Sequence, residues 1–186
     1  KIHVKEAAKI MHELRVIKST DEISLIQEAC NITEKGFRRI LPFINPGVME
    51  YEIEAELIHE FLRNKSKGFA YEPIIASGKN SCVLHYNINN KKCNDGDILL
   101  MDFGAEYANY ASDLTRTVPV NGRFSKRQKA VYSSVLLVMK KAINMLNPNV
   151  ILEKYQKEVT KIMESELINL GLFTSYEAKR QDPKNP

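Results

Sequence analysis

The sequence predicts an α+β fold made of a duplicated α/β unit whose second copy stops before its sheet. Three observations carry that prediction. Residues 40–62 (ILPFINPGVMEYEIEAELIHEFL) and 142–164 (AINMLNPNVILEKYQKEVTKIME) align so that Asn45-Pro46 falls on Asn147-Pro148, Ile44 on Leu146 and Val48 on Val150. Apolar residues recur at helical spacing on both sides of each Asn-Pro turn. Short β-rich runs separated by turn residues fill Tyr71 to Val120 after the first helix pair, whereas only a largely polar stretch follows the second.

The elements follow in chain order. The chain opens on Lys1 rather than Met and closes on Lys184-Asn185-Pro186, as expected of a piece of something longer, and residues 1–18 are set apart as the expected tail and linker of a preceding domain. Residues 19–186 are then one partial domain. Ser19 with Glu22 forms a capping box, and Ile23, Ile26, Cys30, Phe37, Ile40, Leu41 and Ile44 mark the first helix. Asn45-Pro46-Gly47 turns the chain. The second helix carries Glu50, Glu52, Glu54 and Glu56 early and Arg63, Lys65 and Lys67 late, matching the helix macrodipole, with Gly68 as its stop. In the second copy Ser125 with Gln128 repeats the capping box and Gly171 repeats the stop.

Composition narrows the class. The 186 residues include 27 Lys+Arg and 23 Asp+Glu, with 44% hydrophobic and 27% charged, as in an ordinary folded chain. A disordered tail, a collagen-like fibre and a coiled-coil rod are excluded. No run approaches the roughly 18 apolar residues of a membrane span, and no signal-peptide pattern opens these residues. A chain of this size buries about 70% of its unfolded surface, enough for one sizeable core. Basic residues are scattered (Lys65 and Lys67; Lys126, Arg127 and Lys129; Lys179 and Arg180) and form no stripe interleaved with aromatics, so nucleic acid is not an expected partner. Cys30, Cys82 and Cys93 lack CxxC spacing and fit neither a disulfide framework nor a zinc knuckle, which points to a reduced, cytoplasmic chain.

The strand-rich region holds the chemistry. Pro73 to Ala76 and Cys82 to Tyr86 read as strands around the turn Ser77-Gly78-Lys79-Asn80. A polar loop begins at Asn89-Asn90, and Asn94-Asp95-Gly96-Asp97 is a tight turn. Ile98 to Met101 opens an apolar strand and Thr115 to Val118 closes a returning one. A hairpin about Tyr107-Ala108 would set Asp102 directly opposite Asp113, where side chains stand about 4.5–5.5 Å apart at Cβ and like charges destabilise the sheet. A shared proton or a bound divalent cation relieves such a pair. Oxygen ligands admit manganese, magnesium, cobalt or zinc. Spacing alone leaves open that Asp113 caps a turn or that Arg116 pairs with one acid. His85 ends an apolar run and reads either as a catalyst or as a half-buried strand residue. His3, His12 and His59 read as surface residues.

Three blocks make the sequence recognisable: Ser77-Gly78-Lys79-Asn80-Ser81-Cys82-Val83-Leu84-His85-Tyr86; Gly96-Asp97 ahead of Met101-Asp102-Phe103-Gly104; and Ala111-Ser112-Asp113-Leu114-Thr115-Arg116-Thr117-Val118-Pro119-Val120-Asn121-Gly122. From about Arg15 to Leu172 the chain resembles the pita-bread metallopeptidases, first their aminopeptidase P (Xaa-Pro aminopeptidase) branch and next the prolidases. The resemblance implies a pseudo-symmetric pair of α/β halves around two divalent metal ions, manganese first with cobalt or zinc as alternatives. It implies that Asp102 chelates one metal and Asp113 bridges both. By the same resemblance His85 contacts substrate and manages protons, and Tyr71 faces the activated water. The implied reaction is hydrolysis of the bond between an N-terminal residue and proline, on peptides with proline second, by an enzyme expected to self-associate.

The family completes its site with a histidine and two glutamates from the second half. Here no His follows His85, and Glu153, Glu158, Glu164, Glu166 and Glu177 fall in helical or loop contexts. The resemblance therefore implies an active longer parent and a weak or inert fragment. A prolidase and a catalytically silent module that binds peptides or proteins are the rival expectations.

Overall fold

The computed structural model describes residues 7–174 and 176–177, so His3, the Lys179/Arg180 cluster and the closing Lys184-Asn185-Pro186 lie outside the described residues. The chain divides between Arg123 and Phe124 into two compact units. In the first, α1 (Ala8–Val16) buries none of its residues. The capping box then starts α2 (Thr20–Ile40): the Glu22 N–H donates to Ser19 Oγ at 3.2 Å and the Ser19 N–H to Glu22 Oε2 at 2.7 Å. Its inward stripe is Ala29, Ile32, Thr33, Gly36 and Ile40, while Ile23 stays 56% exposed.

Gly47 takes the left-handed φ of +104° needed to turn the chain into α3 (Glu50–Arg63). The inward residues of α3 are Glu50, Ile53, Leu57 and Phe61, at the spacing of one helical face. Phe61 meets Phe69 edge-on at 5.2 Å and lies 6.3 Å from Phe103. Gly36 permits this packing, since a Cβ there would stand 2.7 Å from the Phe61 ring. The expected stop at Gly68 is corrected. Helix α3 ends at Asn64, whose Nδ2 donates to Glu60 O at 2.8 Å; Lys65 then turns left-handed and the Ser66 N–H donates back to Phe61 O at 3.1 Å. Gly68 instead opens the first strand.

Two antiparallel three-stranded sheets follow, ordered β2-β3-β6 and β1-β4-β5. The strands are β1 (Gly68–Phe69), β2 (Ile74–Ser77), β3 (Ile98–Phe103), β4 (Ala105–Tyr107), β5 (Tyr110–Ala111) and β6 (Leu114–Pro119). Leu99, Met101 and Phe103 of β3 are fully buried with Ile75 and the α2–α3 core, so the alternating Asp102 faces the other side. The expected strand Cys82 to Tyr86 does not form. Gly78–Cys82 winds as a 3-10 turn, with Ser81 Oγ donating to Gly78 O, and the following segment runs exposed, Leu84 at 91%. Among the described residues its β-rich composition pairs with no strand.

Among the described residues the second unit holds a helix pair. Ser125 and Gln128 cap α4 (Lys126–Met145), and Asn149, left-handed at φ +69°, leads into α5 (Leu152–Asn169). Asn149 stands where the repeat places Gly47 in the first copy. Gly171 ends α5 as expected: it is left-handed, with the Leu172 N–H on Leu167 O at 3.0 Å. Arg127 Nη1 donates to Leu170 O at 2.9 Å, tying the start of α4 to the end of α5.

Glu50 is the unexpected core residue. It is 0% exposed, and five donors satisfy it: the Ser77 N–H and Oγ–H (both 2.7 Å) and Asn80 Nδ2 (3.3 Å) on Oε1, the Tyr86 O–H (2.7 Å) and Lys91 N–H (2.9 Å) on Oε2. Burial pushes its carboxyl up, but the Ser77 and Lys91 amides with the Ser77 and Tyr86 hydroxyls outweigh that and hold it below its ordinary 4.5. A carboxyl depressed in the folded state stabilises fully above the unfolded value and loses that contribution as pH falls through the folded one. Urea midpoints measured on wild type and Glu50→Gln should therefore differ most above the ordinary 4.5 and draw together as pH falls below it. For Gly36→Ala, helix propensity gains about 1 kcal/mol. The clash with the immobile Phe61 ring costs about 1–3 kcal/mol. The same urea measurement should show a net loss.

Candidate metal centre

Strand β3 turns into β4 at Gly104, and this residue is dictated by sterics. A Cβ at position 104 would stand 1.9 Å from Ser112 O, a backbone atom that has no room to move. Behind that contact lies a buried hydroxyl knot. The Ala105 N–H is shared between Thr33 Oγ1 (2.8 Å) and Ser112 Oγ (3.0 Å), and Ser112 Oγ donates to Ala105 O at 2.9 Å. The Thr33 hydroxyl therefore donates to Ser112 Oγ, 2.6 Å away. Thr33 of α2 thus pulls Ser112 to the core side in the link between β5 and β6, and the next residue, Asp113, meets the Tyr71 hydroxyl.

The hairpin register differs from the sequence expectation by two residues. Ala108 and Asn109 are both left-handed and form the two-residue turn, with Tyr107 opposite Tyr110, and Asp102 pairs with Thr115 rather than with Asp113. The left-handed pair is what sets the turn one residue later than expected. A two-residue slip keeps every side chain on its face, so Asp102 and Asp113 still share one, diagonally instead of directly opposed. Arg116 does not pair with either acid: its Nη1 donates to Thr115 O at 2.7 Å.

Tyr71, in the bend between β1 and β2, closes the group. Its hydroxyl lies 2.7 Å from Asp102 Oδ1 and 3.1 Å from Asp113 Oδ1. Burial, then the hydrogen bond and charge of Asp102, then those of Asp113, raise the phenol well above the usual tyrosine range, so it keeps its proton. One hydrogen faces two carboxylates. Shared between them, it cannot satisfy both fully, and the longer contact is the one to Asp113. A hard divalent cation suits this all-oxygen donor set. Among the described residues no third His, Cys, Asp or Glu joins these acids as a metal-holding group. A cleft of about 430 Å³ borders Asp113, between Phe37 and Arg38 of α2 with Leu41 just past its end, and Leu114 and Arg116 of β6.

Of the residues singled out in the sequence, Tyr71, Asp102 and Asp113 come together. His85 stands apart from them in hydrogen bonding. It sits in the turn after the 3-10 segment, exposed, left-handed at φ +53°, and not on the expected strand. His12 and His59 are exposed, as expected of surface residues. Sequence reasoning read Glu50 only as one of the early acids that match the helix dipole, although its place on the Glu50, Ile53, Leu57, Phe61 stripe marked it as inward.

The model of metallopeptidase family M24 matches residues 24–181. The chain belongs to that family. Metallopeptidases of this family work with divalent metal ions. The M24 chain is 42% identical to a Xaa-Pro aminopeptidase of Haemophilus influenzae over 164 residues, 88% of this chain and 38% of that one. Proline aminopeptidase P II from Yersinia pestis superposes with a TM-score of 0.88 at 38% identity, over 91% of this chain and 39% of the other. An Escherichia coli aminopeptidase P in complex with substrate gives 0.89 at 37% identity, over the same shares. These likenesses show the pita-bread fold, of which the chain spans about two fifths of its relatives' length.

In this M24 chain, Gly104→Ala should cost at least about 3 kcal/mol, because the obstructing atom is backbone. Chemical denaturation of the variant measures it. Unchanged stability would mean that β3 and the Ser112 segment are not in contact.

Proposed function

We propose that the protein containing this chain is a metal-dependent aminopeptidase that hydrolyses the bond between an N-terminal residue and proline. The convergence of Asp102, Asp113 and Tyr71 on one sheet face supports this most directly, and relatives named Xaa-Pro aminopeptidase at 39–42% identity supply the substrate class. In this reading Asp102 and Asp113 hold two divalent ions, manganese first, with further ligands from the remainder of the parent. Bound there, the ions lower the pKa of a water and polarise the scissile carbonyl.

The chain's own residues do the rest. Tyr71 holds Asp102 by its hydrogen bond and keeps its proton, fixing one carboxylate orientation. His85 contacts the substrate and manages a proton at the scissile bond; its exposure and left-handed backbone suit a group presented to a ligand. The substrate is a peptide with proline second. The parent works in the cytoplasm, as a self-associating enzyme; among the described residues no helix is long and apolar enough to cross a membrane.

In the full-length protein Asp113→Ala should abolish turnover and release most bound metal, read by elemental analysis. Wild-type metal and turnover would reject the ligand role. His85→Ala should lower turnover about 10²-fold or more, the usual worth of a positioned proton carrier, with metal content kept. Lost metal would mark His85 as a ligand. Cleavage of Xaa-Pro-Xaa tripeptides separates this reading from a prolidase, and inertness of the metal-loaded protein toward both substrates would favour a silent binding module.

A further inference from the structure

Residues 78–90 leave β2, carry His85 and return beside the start of α3 without joining a sheet, so something other than strand pairing must hold them. Apolar burial does not hold the stretch around His85. Val83, Leu84 and Ile88 are 54%, 91% and 65% exposed. The anchors are polar. The Met49–Lys92 bridge and the Glu50 N–H on Lys91 O at 2.9 Å seat the returning limb on α3. Asn89, 2% exposed, accepts from the Ile75 N–H and donates to Glu54 Oε2 and Pro73 O, each at 2.9 Å.

Glu50 does more than either. One of its oxygens takes the departing limb through Ser77 and Asn80; the other takes Tyr86, next to His85, and Lys91 on the returning limb. Within the described residues no cation pairs with it. Removing its charge would not merely weaken these bonds. In glutamine, one amide end can accept from Ser77 only if its NH2 faces the Lys91 N–H, donor against donor.

We propose that Glu50 is a positioning residue, whose buried carboxylate clamps both limbs of the 78–90 loop and so fixes where His85 stands. This rests on the reading of His85 as a substrate-contacting group. A residue that merely fills the core would leave the loop unmoved when replaced by its isostere.

The test uses the full-length, metal-loaded protein with Glu50→Gln, His85→Ala and the double variant. Glu50→Gln should lower kcat about 10- to 100-fold, the scale of a misplacement near 1 Å, with bound metal unchanged. In the His85→Ala background it should add less than about twofold, since contacts acting as a unit are non-additive. Additive losses overturn the proposal. Hydrogen exchange gives a readout independent of turnover: the Ser77 and Lys91 amides should exchange at least about tenfold faster in Glu50→Gln, while β3 and β6 amides keep their rates. Unchanged exchange at both overturns the clamp. If His85→Ala alone leaves turnover intact, the reading of His85 falls, and exchange still decides the clamp by itself. Tyr86→Phe removes one of the five donors and leaves the charge in place; it should reproduce the same pattern more weakly if Glu50→Gln does not fold.

Discussion

One hydrogen shared among three oxygens governs this part of the molecule. The phenol of Tyr71 meets Asp102 and Asp113 at hydrogen-bond distance but has a single proton to give them. Like charges on one sheet face are unfavourable unless something positive comes between them. The fold nevertheless invests three separate devices in bringing these atoms together. They are the close approach at Gly104, the hydroxyl knot of Thr33 and Ser112, and the bend that carries Tyr71 over the strand ends. That convergence of acidic oxygens is what the proposed role of Asp102 and Asp113 as holders of a hard cation rests on.

Glu50 illustrates the opposite solution to the same problem. It too is a carboxylate drawn out of water, and leaving it unpaired would cost several kcal/mol. Five donors surround it, and its first-turn position in α3 adds the favourable end of the helix dipole. That charge is complete without any ion, so its work is mechanical. The two acid sites, one satisfied and one wanting a partner, lie at the two ends of β2 and its neighbours. Ser77 closes the strand at the Glu50 end, and Ile74 pairs with Asp102 at the other.

Much of this was legible in the residues. Both capping boxes, the Asn-Pro turns, β2, β3 and β6 stand where periodicity and turn chemistry put them, because local rules and tertiary packing agree there. The face shared by Asp102 and Asp113 also survived a wrong register, since strand side chains alternate with period two. Three features were not legible. Lys65 replaced Gly68 as the left-handed stop because Asn64 supplied the cap, a choice that propensity ranks against. Cys82 to Tyr86 has strand composition but pairs with no strand among the described residues, and pairing partners are a tertiary property. Glu50 read only as a helix-dipole acid because its donors come from Ser77, Asn80, Tyr86 and Lys91, distant in sequence, although its helical position was inward.

The central claim is that Asp102 and Asp113 share a divalent cation. The most direct measurement is anomalous diffraction from crystals of the full-length protein grown with manganese, collected either side of the metal edge. The account expects a manganese peak within coordinating distance of both carboxylates and beside the Tyr71 hydroxyl. Manganese bound elsewhere while these carboxylates keep only their phenol contact would contradict it.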